Sequence, residues 1–99
     1  MKLTEAQKRH LKGLGHHLKP VVMVGQAGLS EGVVAEMGIA LDVHELIKVK
    51  LSAGDRKARD TMIEALSKET GASLIQRIGN VAIFFRRNTK KPKIALPSA

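Results

Sequence analysis

The chain has no cysteine, no tryptophan and no tyrosine, and its only aromatic residues are the neighbours Phe84 and Phe85. Without cysteine there are no disulfides and no thiolate zinc sites, a makeup suited to a reducing compartment. The shortage of rings excludes a protein that binds single strands mainly by stacking bases on aromatic platforms, so phosphate and backbone contacts should dominate any dealings with nucleic acid. Long apolar runs are missing as well: VVMV and VAIFF fall far short of the roughly 18 residues that suggest a membrane span. The N-terminal MKLTEAQKRH scatters charge where a signal peptide keeps an apolar stretch, so a cytoplasmic protein with no membrane partner is expected. A length of 99 residues leaves room for one core, hence one domain over residues 1–99.

Acid is scarce at both ends. Lys and Arg number 17 against 9 Asp and Glu, a net charge of +8 that suits a partner of polyanions. Residues 1–30 carry five bases and one acid, residues 31–69 six bases and eight acids, and residues 70–99 six bases and no acid. The basic ends therefore flank a middle that is close to neutral.

Thr4-Glu5-Ala6-Gln7 has the spacing of a capping box and predicts a helix start, followed by Leu11, Leu14 and Leu18 as one apolar stripe on a basic helix. Pro20 ends that helix, and Val21-Val22-Met23-Val24 reads as a short buried strand. After Gly25-Gln26-Ala27-Gly28, Ser30 caps a second helix with Val33, Val34, Met37, Ala40 and Leu41 inward. Leu46 to Leu51 alternates, with Ile47, Val49 and Leu51 on one face and Lys48 and Lys50 on the other. Asp55 caps a third helix that carries Ala58, Met62, Ala65 and Leu66 and closes at Gly71. Ala72 to Ile78 and Val81 to Arg86 are strands joined by Gly79-Asn80, a pair suited to a type II′ turn, and the basic tail from Asn88 is expected to be extended or mobile. The order α-β-α-β-α-β-β predicts an α/β fold, a mixed four-stranded sheet with helices packed on it, in which only the last strand pair is antiparallel.

Between a strand and a helix, the glycines of GQAG permit a tight turn and let a phosphate approach backbone amides. On spacing alone GQAG fits either a plain turn or a backbone clamp for RNA. The sequence lacks the phosphate-binding NTPase loop and the dinucleotide fingerprint, so no nucleotide cofactor is expected. His16-His17 and His44-Glu45 do not make H-E-x-x-H, and no metal site or catalytic centre is predicted. Lys48 and Lys50, close together on one strand face, need either solvent or an anionic ligand. Arg86, Arg87, Lys90, Lys91 and Lys93 are candidates to extend a phosphate-binding patch or merely to solubilise the chain end.

The run LTEAQKRHLKGLGHHLKPVVMVGQAGLSEGVV, followed by HELIKVKL, TGASLIQRIGNVAIFFRR and KIALP, resembles the CRM domain (chloroplast RNA splicing and ribosome maturation), in particular its stand-alone bacterial YhbY-like members. The resemblance implies a fold similar to the C-terminal domain of translation initiation factor three, with an RNA-binding G-x-x-G loop like that of KH domains at Gly25, Gln26, Ala27 and Gly28. It further implies an assembly factor that binds ribosomal RNA in precursors of the large subunit. The family's loop often carries a basic residue beside the glycines, whereas Gln26 and Ala27 are neutral here, which shifts the burden to backbone amides and nearby bases. The expected RNA-binding set is Gly25, Gln26, Ala27, Gly28, Lys12, Lys19, Lys48, Lys50, Arg86 and Arg87 on a monomeric, non-enzymatic protein. Parallel strands would also bring the loop near Gly54, so that Arg56 and Lys57 lie closer to it than Lys19. The alternatives are an adaptor that binds ribosomal proteins or a GTPase with auxiliary RNA contacts, and a small hydrolase or nuclease built on His44 and Glu45.

Overall fold

A computed structural model describes residues 2–52 and 54–98. Local signals set the helix ends. The Thr4 hydroxyl accepts from the Gln7 amide at 3.1 Å while Gln7 Oε1 accepts from the Thr4 amide at 3.0 Å, and this reciprocal cap opens α1, Glu5–His16. β1 spans Pro20–Val24, and Ser30 caps α2, Glu31–His44. β2 is Leu46–Leu51, and Asp55 caps α3, Arg56–Thr70, which ends on Gly71 in the left-handed conformation. β3, Ser73–Ile78, and β4, Val81–Phe85, close the order α-β-α-β-α-β-β. Gly79 has a φ of 59° between the paired residues Ile78 and Val81, as the first residue of a type II′ turn requires.

The strands lie in the order β1-β2-β4-β3. β1 and β2 are parallel as expected, but β4 inserts between β2 and β3 and is antiparallel to both, so the last pair is not the only antiparallel one. The composition of β4 gives the reason. Four of its five residues are buried, which demands cover on both faces and neighbours on both sides, whereas β3 carries Gln76 and Arg77 and tolerates an edge.

On one face of the sheet, α2 and α3 bring Met37, Leu41, Ile63 and Leu66 against Val22, Val24, Val49, Leu51 and Phe84. On the other, Leu11 of α1 and Leu3 pack on Leu46, Ile75, Ile83 and Phe85, joined by Ile94 and Leu96 from the chain end. The seam of α1 runs through Leu11 and Gly15. A Cβ on Gly15 would stand 2.8 Å from Ile83 Cγ2, so the missing side chain lets the helix backbone sit on the sheet. Because α1 stops at His16, the expected Leu11-Leu14-Leu18 stripe is broken, and Leu14 and Leu18 remain partly exposed. β1 also departs from expectation: α1 packs chiefly on β2, β3 and β4, so Val21 and Met23 of this edge strand are exposed.

The segment after β4 is extended, yet it is tied down by one buried acid. Glu45 sits between α2 and β2 at φ 63° and ψ −45°, a rare conformation that costs on the order of 1–3 kcal/mol. Its carboxylate accepts from the backbone amides of Asn88 (2.6 Å), Lys93 (2.7 Å) and Ile94 (2.8 Å) and faces Arg87 Nη1 at 3.2 Å. Burial pushes the Glu45 carboxyl upward, but the three amides and the Arg87 guanidinium outweigh it and hold the group below its ordinary range.

Candidate nucleic-acid interface

Three turns meet at one end of the sheet. The Ser52 amide donates to the Val24 carbonyl at 2.8 Å and the Gln26 side-chain amide reaches the Ser52 carbonyl at 3.4 Å, so the β1–α2 and β2–α3 connections lie side by side. The Leu51 amide donates to the Asn80 carbonyl at 2.7 Å and brings the β3–β4 turn alongside. This end holds the C-terminal ends of the parallel pair, where open α/β sheets bind their ligands.

GQAG is a tight turn closed by the Gly28 amide on the Gly25 carbonyl at 3.0 Å. Gly28 has a φ of 77°, which explains that glycine by backbone conformation alone. Gly25 is different: its φ is not positive, and a Cβ there would meet nothing within 4 Å. The fold therefore has no steric need of glycine at position 25. Gly25, Gln26 and Ala27 are all exposed, and the neutral pair at the tip offers amides rather than charge.

Bases gather around this turn unevenly. Lys50 pairs with Met23 across β1 and β2, two residues before Gly25. Arg56 and Lys57 open α3, whose first turn holds no acid, and Arg59 Nη1 donates to the Gly54 carbonyl at 2.8 Å and braces the β2–α3 turn. The parallel pairing of β1 and β2 puts the connection that leads to Arg56 and Lys57 at the same end of the sheet as the loop. Lys48 lies further along the same strand face, with Nζ 3.4 Å from the His16 carbonyl at the end of α1. Lys12 is exposed on α1. Lys19 precedes β1, so the length of that strand, about 3.3 Å per residue, separates it from the loop.

Arg86 and Arg87 do not join the cluster. They follow β4, which runs opposite to β2, and so lie at the other end of the sheet. Arg86 donates to the carbonyls of Thr70 (2.8 Å) and Gly38 (3.0 Å) and to Asp42 Oδ1 (2.8 Å), bridging the ends of two helices. Arg87 donates to Glu45 and to the Ile94 carbonyl at 2.6 Å. The two arginines expected to extend the lysine patch therefore lie away from GQAG, and each is engaged by acceptors within the fold. Glu45 is likewise unsuited to general-base chemistry with His44, being fully buried with its oxygens already accepting four donors.

Residues 3–86 match the model of the CRS1 / YhbY (CRM) domain. A Haemophilus influenzae protein named RNA-binding protein is 48% identical over 96% of this chain and 95% of its own. A Bacillus subtilis protein, named a probable RNA-binding protein, is 34% identical over 96% of this chain and 99% of its own. The solution structure of a Staphylococcus aureus protein, offered as a candidate RNA binder, superposes with a TM-score of 0.83 at 31% identity, covering 97% of this chain and all of that one. With the order of elements, the G-x-x-G turn and these likenesses together, the chain belongs to the CRS1 / YhbY (CRM) domain family.

Proposed function

We propose that this protein binds RNA without catalysing a reaction, and that the RNA backbone approaches at the GQAG turn. The observation that carries this reading is Gly25, a glycine with no conformational or packing reason inside the fold, on an exposed turn that adjoins Lys50 and the connection leading to Arg56 and Lys57. Exposed amides at the turn tip suit phosphate oxygens, while the surrounding bases supply attraction that salt screens. Relatives named as RNA-binding proteins support the same reading. Of the expected contacts, Lys48 and Lys50 share the sheet face that adjoins the loop, Lys12 stands on the helix over that face, and Lys19 is remote.

The target we propose is ribosomal RNA in precursors of the large subunit, bound in the cytoplasm by a monomeric assembly factor, as resemblance to the bacterial stand-alone members implies. Fluorescence anisotropy with a structured large-subunit RNA fragment and a matched duplex DNA, across a salt series, tests the RNA site. A preference for RNA that persists at high salt is the expected result, and equal, purely salt-driven binding to both refutes it. Co-sedimentation with precursor particles rather than mature subunits tests the target.

A second reading has one observation in its favour. An apolar cleft of about 410 Å³ lies between Leu14, Leu18, Val21, Leu46 and Ile94, rimmed by Lys19 and His44, at the end of the sheet away from GQAG. Such a surface suits an adaptor that joins a particle through a ribosomal protein, and binding that needs protein but not RNA would favour it.

A further inference from the structure

The sheet face that carries α1 is left open at its GQAG end. The strand register aligns one row across all four strands there: Met23 beside Lys50, Lys50 beside Val81, Val81 beside Ile78. Met23 is 60% and Ile78 51% exposed, while Lys50 and Val81 are half-buried. A single exposed apolar side chain is ordinary, but here two of them flank Lys50 and Val81 in one row. Next to the row is a shallow recess of about 180 Å³ between His16, Lys48, Ile78 and Val81.

We propose that this strip receives the bases of unpaired RNA nucleotides whose backbone enters at the GQAG turn; the proposal rests on the RNA-binding reading above. Three features select this occupant. The strip is continuous with the turn, Met23 being two residues from Gly25. It places two lysines among aliphatic side chains, so that a ligand with flat apolar faces and regularly spaced negative charge is matched on both counts. A second copy of this chain is mismatched, because it would bring Lys48 and Lys50 against their own counterparts in a protein of net charge +8. Since Met, Val and Ile meet any base face alike, the strip adds affinity for unpaired nucleotides with little preference among them.

The test uses the full chain with carbon-13 methyl-labelled methionine and nitrogen-15 amides, titrated with a short unpaired oligoribonucleotide and with a chain of equal length lacking bases. The Met23 methyl should shift with the first and stay still with the second, the buried Met37 methyl serving as control, while the Gly25 and Gly28 amides shift with both. A silent Met23 with responsive loop amides overturns the strip and leaves the loop reading intact. Silence of both overturns the RNA reading and the strip with it. Equal Met23 shifts with both chains, or a shift that follows protein concentration without RNA, also refutes base contact. The paired substitution Met23→Ser and Ile78→Ser, at exposed positions, should weaken binding of the base-bearing chain about tenfold and leave the baseless chain unchanged. Equal affinity for the base-bearing chain in the folded variant overturns the proposal.

Discussion

Replacing Glu45 by alanine removes the buried carboxylate that accepts three backbone amides of the segment after β4. Three backbone amides at 2.6–2.8 Å lose their acceptor, and the Arg87 guanidinium loses its counter-charge. Breaking a buried pair by deleting one partner costs about 3–5 kcal/mol. The chain end can limit that loss by peeling away so that water satisfies its amides. It then gives up the burial of Ile94 and Leu96, which are only partly covered and so contribute less than the roughly 1.5–3 kcal/mol of a fully buried aliphatic side chain. The expected cost is therefore about 3 kcal/mol, which in a domain of this size lowers Tm by roughly 12–24 °C. Thermal and urea unfolding measure it in the full chain and in a chain ending at residue 87. In the shortened chain Glu45 has already lost its three amide donors and keeps only Arg87, so Glu45→Ala should cost less there. A cost under about 1 kcal/mol in the full chain, or the same cost in both backgrounds, refutes the fastening role. The acid side offers a check of sign. Because the folded chain holds the Glu45 carboxyl below the ordinary glutamate value, its contribution is complete above that value and is lost as pH falls through the lower folded one. Glu45→Gln should remove this part of the acid-side slope.

Gly25→Ala should leave stability unchanged or raise it by about 0.4–1 kcal/mol, since the new methyl meets open space, yet it should weaken RNA binding; undiminished affinity would mean that no backbone approaches there. Arg86→Ala should cost about 2–3 kcal/mol in urea unfolding with no change in the salt slope of RNA binding, because its donors are engaged by Thr70, Gly38 and Asp42. Replacing Lys48 and Lys50 together by alanine should do the reverse, making the slope of log affinity against log salt shallower by roughly 0.7–0.9 for each phosphate that is no longer neutralised. Gly15→Ala should cost about 1–3 kcal/mol, as Ile83 must give way to the added methyl.

The element order was legible because its signals are local. Thr4 with Gln7, Ser30, Asp55 and Gly71 each act within one helical turn, and each cap is found where its residue type places it. Strand order depends on which strand is covered on both faces, and the unbroken VAIFF run held a hint that β4 is central. Glu45 looked like any other acid of the middle segment, because its partners Asn88, Lys93 and Ile94 lie more than forty residues away. Arg86 and Arg87 read as part of a basic chain end for the same reason, since Asp42 and Glu45 meet them only after folding. At the candidate site, the alternation of Lys48 and Lys50 and the placing of GQAG between strand and helix were both readable. The exposure of Met23 and Ile78 was not, since it follows from where α1 stops on the sheet.

The central claim is that RNA backbone approaches the GQAG turn, and replacing Gln26 and Ala27 together by aspartate tests it most directly. Both positions are exposed, so the fold should persist, as an unchanged unfolding transition would verify. Two carboxylates at the turn tip would then oppose any incoming phosphate. Anisotropy with the large-subunit RNA fragment should show affinity falling at least about tenfold, more steeply at low salt than at high salt. Undiminished affinity in the folded variant would contradict the account and move the RNA site away from the loop.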